Sequence, residues 1–175
     1  MIFPLHLSLG LAKYIVGNRL LNREMVLKEM IQPIRQSYDF ILVDCQPSLG
    51  LLTINALAAA DAVLIPLQAD FLAMKGLTLL LSTIIRVKER INPALEISGI
   101  LFTMTNPRTL HCKEVIEVTR RAFGDKIRVF NTLIPTSVRF KEAPAIGESI
   151  LTYASSSNGA EAYRLLVKEV INEKG

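Results

Sequence analysis

The feature that most constrains this chain is an alternation. Short, nearly continuous apolar runs are each followed by a longer stretch whose apolar residues recur at helical spacing. The short runs are FILVD (40–44), AVLIPL (62–67), LEISGILFTM (95–104) and IRVFNTLI (127–134). Their apolar residues sit at successive positions, the pattern of strands buried on both faces rather than on one. Residues 50–60, 72–91 and 109–123 have helical spacing, and a last helix is predicted from 159 to 173. Before the first run, 22–36 is predicted as a further helix, with Asn22 as its N-cap and Pro33 bending or ending it. Residues 135–159, rich in Pro, Gly and Ser, are predicted as a loop. Such an order predicts an α/β fold: a mostly parallel sheet with helices on both faces.

In that architecture ligands sit beyond the carboxyl ends of the strands. The informative residues are therefore Asp44 to Ser48, Pro66 to Asp70, Thr105 to Arg108 and Pro135 to Arg139. A length of 175 residues, half of them apolar, suits one domain with a sizeable core. The net charge of +4 permits contact with nucleic acid or an anionic surface without demanding either. Cys45 and Cys112 lie far apart and have no metal-ligand spacing, so both are expected to be reduced thiols. His6 and His111 lie near no acid cluster and are expected to be structural or surface residues. The apolar runs are too short and too mixed to span a bilayer, and no signal peptide is recognised at the N-terminus.

Asp44 closes its apolar run as the acid of a Walker B element does. Its carboxylate would hold Mg²⁺ through water, since Mg²⁺ keeps part of its hydration shell. Taken alone, a structural turn acid is an equal reading. The segments around it carry a closer resemblance. YDFILVDCQPSLGLLTINALAAAD (38–61), AVLIPLQADFLAMKGL (62–77), GILFTMTNPRT (99–109) and IPTSVRFKEAPAIGESILTYASSSNGAEAYRLLVKEV (134–170) appear in this order. Together they resemble the ParA/Soj-type partition ATPases of the MinD/ParA deviant Walker family. That resemblance implies a P-loop NTPase-like fold, an ATP and Mg²⁺ cofactor pair, and ATP-dependent dimerisation to a homodimer. It also implies non-specific DNA binding in chromosome or plasmid segregation, and a ParB-like centromere-binding partner. The setting it implies is the bacterial cytoplasm, in association with the nucleoid and not with a membrane.

The resemblance also assigns residues. Asp44 is the Mg²⁺ acid, and Gln46, Pro47 and Ser48 form switch II, with Gln46 standing where the family usually has proline. Asn106 matches the turn that touches adenine, and Pro135 and Val138 the loop around the ring. Asn106 is equally a turn-former before Pro107, and Pro135 a strand-ending proline. Arg108 and Arg139 match DNA-contacting arginines, which need only neutralise phosphates. Lys141, Arg120, Arg121, Lys126 and Arg128 either extend that surface or form an ordinary solvated face. Thr136, Ser137 and residues 154–158 replace several family arginines, so DNA binding weaker than a typical member's is expected. The final helix resembles the family's packing helix rather than the membrane helix of MinD-like relatives.

One element is absent from the sequence. The family's phosphate cradle is a glycine-rich, KGGxGKT-like loop, and none of the nine glycines here forms GxxxxGK[ST]. The segment FPLHLSLGLAKYIV (3–16) resembles the family's mid-domain strand and helix. The 175 residues are thus expected to be a single domain, roughly the C-terminal two-thirds of a ParA-type ATPase domain, with its N-terminal part missing. Without the phosphate donors, no catalytic residue is assigned and no ATP turnover by the 175-residue chain alone is expected. Two other readings stay open: a non-enzymatic remnant or regulator acting through a full-length relative, and another MinD-like deviant Walker ATPase.

Overall fold

The structure, a computed structural model, describes residues 21–46 and 48–171. The helices are α1 (Val26–Ile31), α2 (Leu51–Ala59), α3 (Phe71–Arg90), α4 (Leu110–Phe123), α5 (Arg139–Ala145), α6 (Ile150–Tyr153) and α7 (Asn158–Ile171). The strands are β1 (Ala62–Gln68), β2 (Glu96–Thr105) and β3 (Val129–Pro135). They form one sheet in the order β1-β2-β3. The β2–β3 pair is parallel, with Ile100 opposite Val129, Phe102 opposite Leu133 and Thr105 opposite Pro135. The predicted α/β architecture and three of its four strands are therefore present, each within two residues of its predicted limits.

Three local expectations are corrected. Phe40–Asp44 joins no ladder among the described residues, and Phe40, Leu42 and Val43 are exposed. A strand is completed only by hydrogen bonds to a neighbour, and an apolar run does not supply one. Residues 22–36 form no continuous helix: a 3₁₀ turn (Arg23–Met25) leads into α1, which ends at Ile31 before Pro33, and a second 3₁₀ turn spans Arg35–Ser37. Proline lacks an N–H and clashes with the preceding turn, which accounts for the break. Asn22 adopts a left-handed conformation and its side chain makes no cap bond. The predicted loop 135–159 contains α5 and α6; Pro144 lies inside α5, and Ser149 caps α6 by accepting from the Thr152 N–H.

The described residues divide into two compact units, one running up to Val63 together with Leu79–Glu96, the other Leu64–Thr78 together with the described residues from Ile97 onward. In the first, α1 and the 3₁₀ turn before it pack on α2. Asn55, almost wholly buried on α2, joins them: its amide donates to the carbonyls of Arg23 (2.8 Å) and Leu51 (3.0 Å), and its Oδ1 accepts from the Leu27 N–H (3.1 Å). Every polar atom of that side chain is thereby satisfied, as burial requires. Asn92 closes the end of α2 in the same way, donating to the carbonyls of Leu57 (3.0 Å) and Ala60 (2.7 Å). In the second unit α7 packs on β3 around Leu101, Phe130, Ile134, Ala162 and Leu166. Among the described residues no helix is long and apolar enough to cross a membrane.

Candidate functional site

The second unit brings two turns together at the carboxyl ends of β2 and β3. Pairing of Thr105 with Pro135 brings the two following turns side by side. Two hydrogen bonds lock them: the Thr136 N–H donates to the Thr105 carbonyl (3.0 Å), and the buried Thr105 hydroxyl donates to the Ile134 carbonyl (3.2 Å). Just before this point Met104 sits at φ 51°, a left-handed conformation uncommon for a residue with a side chain.

The β2 turn is held by its own side chains. The Asn106 Oδ1 accepts from the Arg108 N–H (3.2 Å), and the Asn106 carbonyl accepts from the Thr109 N–H (3.0 Å) and hydroxyl (2.9 Å). Thr109 then caps α4 by accepting from the Cys112 N–H (3.4 Å). Asn106 and Arg108 are both exposed at this turn. The Asn106 NH₂ remains able to donate and its oxygen keeps a second lone pair.

The β3 turn leads directly into α5. Pro135 is half-buried, while Val138, Arg139 and Lys141 are exposed. The Arg139 N–H donates to the Ser137 hydroxyl (3.2 Å), and its guanidinium reaches Glu142 Oε2 at 3.0 Å. The same carboxylate oxygen accepts from the Tyr153 hydroxyl (3.1 Å), and the guanidinium carbon lies 6.0 Å from the Tyr153 ring centre. Tyr153 first, and Glu142 after it, raise the Arg139 pKa and hold the group in its charged form. Glu142 and Tyr153 were not assigned a role from the sequence. The three-residue spacing from Arg139 to Glu142 signals that contact, whereas nothing local signals Tyr153.

Arg120, Arg121, Lys126 and Arg128 also lie in the second unit, whereas Asp44, Gln46 and Ser48 lie in the first. Asp44 and Gln46 are exposed, and the Ser48 N–H donates to the Gln46 carbonyl (2.7 Å). The Thr53 hydroxyl donates to the Ser48 carbonyl, tying the segment to α2. Pro47 and residues 3–16 lie outside the described residues. Among the described residues no group of three or more His, Cys, Asp and Glu could hold a metal ion. As a hard oxygen donor, Asp44 fits one position around a hydrated Mg²⁺ whose other ligands come from water and nucleotide phosphates. Cys45 is exposed and Cys112 buried, and both are free thiols.

A sheet with helices between its strands and paired turns at its carboxyl end defines an α/β protein, and comparison with known proteins narrows that class. Residues 6–97 match the family model described as AAA domain. Over 154 residues the chain is 47% identical to the chromosome-partitioning ATPase Soj of Treponema pallidum (strain Nichols), covering 88% of this chain and 60% of that protein. It is also 47% identical over 150 residues to the sporulation initiation inhibitor protein Soj of Bacillus subtilis (strain 168), covering 86% and 58%. Among solved structures it matches cobyrinic acid a,c-diamide synthase from Mycobacterium smegmatis with bound ADP and magnesium. That match has a TM-score of 0.74 at 31% identity, over 91% of this chain and 57% of that one. The chain belongs to the AAA-domain family, within its ParA/Soj group. It spans little more than half the length of the curated relatives it matches.

Proposed function

We propose that this protein acts in chromosome or plasmid partition as a ParA-like module that binds DNA without sequence preference. In this reading, ATP and Mg²⁺ drive its dimerisation and a ParB-like protein is its partner. One observation supports it most directly: the hydrogen-bonded junction between Thr105 and Thr136 aligns the turn bearing Asn106 and Arg108 with the one bearing Pro135, Val138, Arg139 and Lys141. Asn106, Pro135 and Val138 supply groups for an adenine. The exposed guanidinium groups of Arg108 and Arg139, with Lys141, supply positive charge for phosphates.

Asp44 holds the Mg²⁺ that accompanies the nucleotide, and Gln46, Pro47 and Ser48 respond to it as switch II. The 175 residues contain no GxxxxGK[ST], so by themselves they bind ATP weakly and do not turn it over. The setting is the nucleoid of a bacterial cytoplasm.

The test is binding of the 175-residue chain to two duplexes of unrelated sequence, titrated with salt. Equal affinities are expected, with Arg108→Ala flattening the log–log salt slope by about 0.9, the value for one phosphate contact on B-DNA, and Arg139→Ala flattening it by a measurable part of that value. A strong preference between the duplexes, or wild-type slopes in both variants, would overturn this reading.

A further inference from the structure

Arg139 is not a free cation. Its guanidinium is 3.0 Å from Glu142 Oε2, and Tyr153, arriving from α6, donates to that same oxygen at 3.1 Å. An exposed pair three residues apart on a helix is ordinarily mobile and of little energetic weight. Here the carboxylate has a second, tertiary donor eleven residues along the chain, which holds it beside the arginine. A carboxylate offers a guanidinium much the same geometry as a phosphate does: two oxygens, negative charge and room for a bidentate contact. A phosphate that takes Arg139 must therefore displace Glu142 or share the guanidinium with it.

We infer that Glu142, anchored by Tyr153, is a built-in competitor for the phosphate that Arg139 receives, and that it sets the DNA affinity of this surface. This rests on the proposed role of Arg139 and adds a restraint to it. Arg128 and Glu169 form another Arg–Glu pair on this unit, but there the carboxylate is spent on β3 backbone groups and serves the fold. At Arg139 the pair lies on the exposed turn that carries the candidate DNA contacts.

The consequence is electrostatic and measurable. While Glu142 neutralises Arg139, few counterions are released when DNA arrives; once Glu142 is neutral, the full contact is made. The experiment is a salt titration of duplex binding by the 175-residue chain and by Glu142→Gln, Arg139→Ala and the Glu142→Gln/Arg139→Ala double variant. Glu161→Gln, which removes an acid paired with Arg164, controls for net charge.

Glu142→Gln is expected to steepen the salt slope by whatever part of about 0.9 Arg139 does not already contribute in the wild type, and to tighten binding by about threefold at the low-salt end. The double variant should show no such gain, and Glu161→Gln should show less of one. A merely structural role for Glu142 would instead weaken binding or leave the slope unchanged, and either outcome overturns the inference. A gain that survives in the Arg139→Ala background also overturns it. Wild-type binding by Arg139→Ala alone would defeat the assignment of Arg139, and no binding by any of the proteins at low salt would defeat the proposed function. Either failure takes the inference with it and is distinguishable from a failure of the inference alone. Should Glu142→Gln fold poorly, Tyr153→Phe weakens the same anchor while keeping the ring, and its slope should move in the same direction by a smaller amount.

Discussion

Glu169 shows how much a single side chain settles in this protein. It stands on α7 and turns its carboxylate onto β3, accepting from the N–H of Asn131 (2.8 Å), the N–H of Thr132 (3.0 Å) and the Thr132 hydroxyl (2.7 Å). Arg128 approaches it at 3.4 Å while stacking on Phe130, 4.6 Å from the ring centre. Burial pushes the carboxyl pKa up, but the hydrogen bonds from Asn131 and Thr132, with the Arg128 charge, outweigh it. The net pKa falls below the ordinary 4.5. A group whose folded pKa is depressed adds stability that is fully present above its unfolded value and is lost as pH falls through the folded one. Glu169→Gln should therefore lower stability near neutral pH by about 1.5–3 kcal/mol, the range for hydrogen bonds to a charged group. The difference from wild type should narrow as pH falls below the ordinary 4.5 and through the depressed pKa of the folded state, where the folded carboxyl protonates. Urea unfolding followed by circular dichroism at neutral pH and under acid conditions checks both points. A pH-independent difference would show that the charge is not what holds α7 to β3.

At the scale of elements, backbone proximity decides where β2 and β3 can lie. Gly99 has φ +147°, and a Cβ there would sit 2.8 Å from the Arg128 carbonyl oxygen and 2.9 Å from the Phe130 ring. The adjacent Ile100 N–H donates to that Arg128 carbonyl (2.9 Å), so the missing side chain is what lets the strands enter register. Gly99→Ala should destabilise the fold by about 1–3 kcal/mol through the strained conformation alone, read as a lower urea midpoint. An unchanged midpoint would mean the strands can part there at no cost. Gly159 makes a comparable approach for helices: its Cβ would meet the Phe140 ring at 2.6 Å, and Phe140 in turn meets Tyr163 edge to face at 5.8 Å. In the sequence Gly159 reads as the start of the last helix. Its closeness to Phe140 follows from α5, an element the sequence presents as loop because Pro144 and the surrounding small residues mask a seven-residue helix.

For the molecule as a whole, the segment Phe40–Val43 is the unresolved obligation. Leu42 is 91% exposed, Phe40 53% and Val43 40%. An exposed apolar run of strand-like composition is a surface for association with another chain. The 175-residue protein is therefore expected to self-associate in light scattering coupled to size exclusion. Leu42→Lys should reduce the associated fraction, since a charge on such a run disfavours edge pairing. A monodisperse wild-type monomer would show that this segment is protected in some other way.

The sequence by itself determined the alternation of buried strands and helices, because continuous apolar runs and helical spacing are local consequences of burial on two faces or one. It determined the family as well, and with it the turns after β2 and β3 where Asn106, Arg108, Pro135 and Arg139 stand. Tertiary structure alone decided that Thr105 meets Pro135 and Thr136 where β2 and β3 end, because strand hydrogen bonds are made to a distant segment and leave no mark in the strand's own composition. It also decided that Asn55 ties α2 to the carbonyl of Arg23, and that Tyr153 holds Glu142 against Arg139. Both contacts join residues brought together by the fold, and their side chains carry no signal of the partner they will meet.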